Sequence, residues 1–156
     1  MKIENNFVVW DDKYSIGIPL IDSQHKELIA LTNELYKACR YGDEAAKEQF
    51  RMTIHEAAAY VKFHFSVEEQ IMQKAGYPDI VNHKKYHAEF VREVLGNVSA
   101  FETGKRFIPQ QFARFLWDWI LSHIAIVDTK LGSYLLDLQR TGKLGVIAMK
   151  GKEAAL

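Results

Sequence analysis

The sequence predicts an all-α fold: an up-down-up-down four-helix bundle with an N-terminal arm and a short C-terminal helix. Two observations predict it. Apolar residues recur three and four apart through four long successive stretches, and no stretch alternates with the period of a strand. Glycine, proline and aspartate fall in the gaps between those stretches, so short connections join antiparallel neighbours.

At 156 residues the chain suits a single domain, 1–156, with a substantial core. Its 20 basic and 20 acidic residues cancel, which removes the electrostatic ground for a nucleic-acid partner or an anionic membrane surface. The opening MKIENNFVVW lacks the apolar stretch of a secretory signal, and no run is long enough for membrane insertion. Cys39 stands alone, so no disulfide framework is expected, and a reducing, cytoplasmic location is the natural reading.

Residues 1–18 show no sustained period and are expected to form an extended arm, packed onto the body through Phe7, Trp10 and Tyr14. The first helix is expected from Pro19 to Tyr41, with Pro19 in its first turn and Gly42 just past its end. Its inward stripe takes Asp22 or His25, Leu28, Leu31 or Thr32, and Leu35. Asp43 caps a second helix that stops near Ala75, before Gly76 and Pro78; its stripe is Phe50, Ile54, Ala57, Val61, His64, Glu68 and Ile71. Asp79 caps the third, which runs to Thr103 with Ile80, His83, His87, Phe90, Val94, Val98 and Phe101 inward. The fourth starts near Pro109 and carries Phe112, Leu116, Trp119, His123 and Ile126 or Val127. A shorter helical piece over 129–139 closes the bundle, 19–139, and 140–156 reads as a loose tail.

Chemistry enters where the stripes call for Leu, Ile or Phe and carry something else. His25, His64, Glu68, His83, His87 and His123 all occupy inward positions. A four-residue step on a helix turns about 400° and climbs about 6 Å, so His64/Glu68 and His83/His87 each project from one face. The Gly76-Tyr77-Pro78 turn lets those two faces oppose each other. Burying such groups without partners costs several kcal/mol each. One buried histidine is ordinarily a satisfied core residue, but hydrogen bonds among themselves do not easily satisfy six such groups on four helices. A metal centre satisfies them together, since imidazole and carboxylate are both good ligands for iron or zinc. Asp128 follows His123 by five residues, about 140° past the helical repeat. Either the helix is bulged between them, or Asp128 reaches round from the helix end.

A lone histidine on the first helix, followed by H-x-x-x-E, H-x-x-x-H and H-x-x-x-x-D on the next three, resembles the hemerythrin family in its single-domain bacterial form. The resemblance runs from Trp10 and IDSQHKEL to the end of the fourth helix. It implies two iron ions bridged by hydroxide or oxide. One would take His83, His87 and His123, the other His25 and His64, and Glu68 and Asp128 would bridge both. With octahedral preference at each ion, this set leaves one position free at the iron of His25 and His64, where dioxygen is expected. Leu28, Phe65, Trp119 and Ile124 lie one turn from the ligands, and the resemblance places them around the dioxygen pocket.

The resemblance therefore implies reversible dioxygen binding by a carrier, store or delivery protein, not an enzyme. Its partner would be dioxygen, passed to an unspecified oxygenase or oxidase. The chain has no E-x-x-H, the repeat found in carboxylate-rich, dioxygen-cleaving bundles. Two alternatives stand beside it: an oxygen or redox sensor acting through a partner, and a di-iron enzyme that scavenges peroxide or nitric oxide. His55, one place off the stripe, reads as a surface residue, and Cys39, Trp10 and Trp117 read as structural.

Overall fold

A computed structural model describes residues 8–39 and 42–142. Among them the chain forms α1 (Pro19–Ala38), α2 (Glu44–Ala75), α3 (Ile80–Glu102), α4 (Pro109–Ser122), a π-helical turn (His123–Asp128) and α5 (Thr129–Arg140). This is an all-α four-helix bundle, and the described residues contain no strand. No described helix is long and apolar enough to cross a membrane.

Local chemistry sets the ends. Proline opens α1 and α4, and the residues before it, Ile18 and Ile108, are held extended, as the pyrrolidine ring requires. The Asp43 carboxylate accepts the Ala46 N–H at 2.8 Å and caps α2. Gly76, at φ 65°, ends it in the left-handed conformation that favours glycine. There Gly76 N–H donates to Gln73 and Tyr77 N–H to Met72, at 3.3 and 2.9 Å, while the Tyr77 and Met72 side chains share one apolar cluster. Tyr134 on α5 donates to the Ala75 and Gly76 carbonyls and pins the turn to the bundle.

Three expectations need correction. α1 ends at Ala38, short of Tyr41, with the Cys39 N–H closing a tight last turn on Tyr36; Arg40 and Tyr41 lie outside the described residues. Asp79 precedes α3 but does not cap its backbone, because its carboxylate takes the Asn82 side-chain amide at 2.8 Å instead. Neither inward candidate after His123 is buried: Ile126 is 60% exposed and Val127 only part-buried. The π turn holds more residues per revolution than an α turn, so the inward position falls on Asp128. The short C-terminal helix continues directly from α4 through that turn.

From Val8 onward the arm is fastened rather than trailing. Asn33 and Val8 exchange two hydrogen bonds at 3.1 and 2.8 Å. Asp22 accepts from Ser15 Oγ and the Ile16 N–H, so it ties the arm to the first turn of α1. Trp10 packs edge-on against Tyr14, and Tyr14 reaches the core; Phe7 lies outside the described residues, as does the tail from Lys143. Ile16 crosses α5 at Gly132, where an added Cβ would stand 2.5 Å from the Ile16 carbonyl oxygen. Replacing Gly132 with Ala is expected to lift the arm and cost about 1–3 kcal/mol of stability, read as a lower denaturant midpoint.

Packing places the chemistry. One apolar cluster holds Leu28, Ile54, Val61, Phe90, Leu116 and Ile120 with their neighbours. A second holds Ile16, Ile21, Ile71, Met72, Leu131 and Leu135. The histidines and carboxylates lie between the two on the helices, so both ends of the polar layer are sealed by hydrocarbon.

Candidate metal centre

α1 contributes His25, α2 contributes His64 and Glu68, α3 contributes His83 and His87, and the π turn contributes His123 and Asp128. All seven are buried, none more than 5% exposed. The π turn solves the five-residue spacing. The Thr129 N–H reaches back five residues to the Ile124 carbonyl, which widens the turn enough to return Asp128 to the face of His123. The Thr129 hydroxyl donates to the same carbonyl at 2.9 Å.

The carboxylates divide their oxygens between two groups of imidazoles. Glu68 Oε1 lies 3.0 Å from His64 Nε2 and 3.4 Å from His25 Nε2. Its Oε2 lies 3.2 Å from His87 Nε2 and 3.4 Å from His83 Nε2. Asp128 does the same: Oδ2 stands 3.0 Å from His25 Nε2, and Oδ1 stands 3.2 Å from both His83 and His123 Nε2. Two donor sets result, His83/His87/His123 and His25/His64, each completed by both carboxylates and each with its donor atoms within 4.8 Å of one another.

These atoms converge without satisfying one another. Both ring nitrogens of His25 and His83 and all four oxygens of Glu68 and Asp128 are buried without a properly formed hydrogen bond. His87 and His123 bring their Nε2 atoms to within 3.2 Å of each other. Such an arrangement is costly unless cations occupy the foci. The residues present therefore fit a pair of metal ions, one per donor set, with each carboxylate spanning both.

The electrostatics agree. Burial opposes charge on His25 and His83, but Asp128 and Glu68 outweigh it and lift both imidazoles to about 9. Burial dominates at His64 and lowers it despite Glu68. Burial alone would raise the two carboxyls; the surrounding imidazoles overcome it and hold both far below the usual carboxylate range. The metal-free cluster thus stores protons on the groups that would ligate.

Two positioning residues were absent from the sequence reading. Gln24 Oε1 accepts from His64 Nδ1 at 2.8 Å, and Glu69 Oε1 accepts from His87 Nδ1 at 3.1 Å. Each leaves Nε2 as the free donor and aims it at the cluster. Gln24 was findable, because it shares the inward face of α1 with Ile21 and Leu28 and is itself buried. Glu69 leaves no such signal, since its partner lies across the α2–α3 turn. Replacing Gln24 with Leu is expected to weaken metal retention about 10–100-fold in a chelator competition, with helicity unchanged.

Aromatic rings hold the other side. Phe65 lies flat on His87, with centroids 3.7 Å apart at 3°. Trp119 lies flat on His123 at 4.3 Å and 13°, backed by Phe90 at 3.8 Å. Leu28, Phe65, Trp119 and Ile124 meet around a narrow cavity that reaches His25 and His64 and admits roughly one water-sized molecule. The remaining candidates stand apart. His55 is exposed and paired with Glu102. Cys39 is buried, and burial pushes its thiol up to about 11, which leaves it unreactive.

Comparison with known proteins gives consistent findings. The family model described as Hemerythrin HHE cation binding domain matches residues 16–135. A bacteriohemerythrin of Stenotrophomonas maltophilia is 34% identical over 117 residues, covering 75% of this chain and 74% of that one. A bacteriohemerythrin of Methylococcus capsulatus is 29% identical over 123 residues, 79% of this chain and 92% of its own. The crystal structure of a wild-type hemerythrin superposes with a TM-score of 0.77 at 28% identity, covering 81% of this chain and 96% of that one.

Proposed function

The chain belongs to the hemerythrin family, and on that premise we propose that it binds dioxygen reversibly at a non-haem di-iron centre, as a carrier, store or delivery protein. The observation that carries the reading is the split of each carboxylate: one oxygen toward two imidazoles of the His83/His87/His123 set, the other toward His25, with Glu68 also reaching His64. The chemistry a pair of ferrous ions supplies when bound is the reversible donation of electrons to dioxygen.

The protein's own part is asymmetry and exclusion. Three imidazoles crowd one focus; two serve the other and leave it more open. The apolar cavity reaches both histidines of that second focus, along with His123 and Asp128, so a small gas is admitted there while Leu28, Phe65, Trp119 and Ile124 keep bulk water out. Gln24 and Glu69 fix the rings, and the stacked Phe65 and Trp119 limit their rotation. Few anionic donors among many imidazoles disfavour highly oxidised metal, which supports carriage over dioxygen cleavage.

Replacing Leu28 with Ala is expected to leave the iron content intact while shortening the oxidation lifetime in air severalfold, followed by absorbance. An unchanged lifetime would remove Leu28 from water exclusion. The functional test is a gas cycle on the ferrous protein. The reading expects a difference spectrum that appears with dioxygen and disappears on its removal over several cycles. A single irreversible change, or rapid catalytic turnover of peroxide or nitric oxide, would favour a scavenging enzyme.

A further inference from the structure

A second cavity lies in the middle of the bundle, on the far side of Leu28 from the metal centre. It is bounded by α1, α2, α3 and α4, and every side chain lining it is apolar except Thr32. The Thr32 hydroxyl already donates to the Leu28 carbonyl at 2.8 Å. A water molecule there would find at most one acceptor, where a buried water needs two to four polar partners. The space is therefore dry, and it admits roughly one small molecule.

Its position adjoins the metal-centre cavity. Leu28, Val61 and Ile120 wall both this cavity and the one beside His25 and His64, so a single layer of side chains separates them. On the α2 side the wall includes two small residues, Ala57 and Ala58. Ala57 is buried and faces the cavity, and the half-buried Ala58 lines its margin. Larger residues at these two positions would fill the space. Side-chain rotation within this shared layer is the motion that would join the two cavities.

We propose that this cavity is a second binding site for a small apolar gas, and that dioxygen passes through it from the α1–α2 surface to the metal centre. The choice of cargo rests on the dioxygen reading above; the binding of an apolar gas does not. A site on the route leaves the bound state untouched. Narrowing it slows arrival and departure by the same factor and leaves affinity unchanged, whereas altering a wall of the final pocket changes affinity.

The test uses the iron-loaded full chain. Crystals pressurised with xenon are expected to show one peak against Ala57 and Thr32, lost in Ala57→Val. In solution Ala57→Val is expected to slow both dioxygen association and dissociation about tenfold, with the equilibrium constant preserved. Ala58→Leu, at a margin where the added side chain has room to turn outward, is the second variant and is expected to act in the same direction. No xenon at that position in the unaltered chain, or unchanged association in a folded, iron-loaded variant, would overturn the proposal. If the unaltered chain fails to take up dioxygen, the functional reading falls, and the xenon map still decides whether the cavity binds a gas.

Discussion

A chain carrying Glu68→Ala is expected to hold no iron, whereas one carrying His64→Ala is expected to keep one. The difference lies in what each side chain touches. His64 belongs to the smaller donor set alone, while Glu68 belongs to both and presents a separate oxygen to each. Deleting it removes one donor and part of the neutralising charge from both foci. The fold should feel the loss as well. Glu68 is fully buried among His25, His64, His83 and His87. Removing one partner of a buried charged cluster typically costs about 3–5 kcal/mol. Metal analysis and denaturant unfolding of the two variants measure both effects. Two irons retained after Glu68→Ala would show that Glu68 does not span the pair.

Metal-free protein is expected to be most stable in mildly acidic solution and to weaken as the pH rises toward 9. His25 and His83 are lifted from 6.5 to about 9 by Asp128 and Glu68. A raised imidazole contributes its full stability below about 6.5, and that contribution is lost as the pH climbs through the folded value. Glu68 and Asp128 are shifted down, so their contribution is present above the usual carboxylate range and fades only in strong acid. The loss between pH 6.5 and 9 is expected to be on the order of a few kcal/mol. Iron loading should reverse the trend, because ligation requires neutral imidazole and so expels about two protons per chain near neutral pH. Urea midpoints across this range measure the first effect, and titration calorimetry in two buffers of different ionisation enthalpy measures the second. Stability flat to pH 9 would mean that the imidazoles are not held charged by the carboxylates.

Much of this was legible in the residues because a buried polar group contradicts an apolar stripe. His64 and Glu68 sit in one register with Val61 and Ile71, and His83 and His87 with Phe90 and Val94, so periodicity alone places all four inside. The π turn was legible for a related reason: His123 and Asp128 do not share a face of an ideal helix, and something had to give. The same turn defeated the ideal period just beyond it, which is why Ile126 or Val127 was expected inward and neither is buried. The α1 end was misplaced because Gly42 is a strong punctuation mark, yet the last turn tightens at Cys39. What stayed out of sight depends on tertiary approach. Glu69 meets His87 only across the α2–α3 turn, and the arm passes α5 only where Gly132 leaves space.

The central claim is that seven inward side chains hold two irons with Glu68 and Asp128 shared between them. Anaerobic reconstitution with ferrous iron, followed by crystallography with anomalous scattering at the iron edge, tests it directly. The account predicts two peaks per chain, one among His83, His87 and His123 and one beside His25 and His64, with both carboxylates touching each. A single peak, no peak, or iron bound elsewhere on the chain would contradict it.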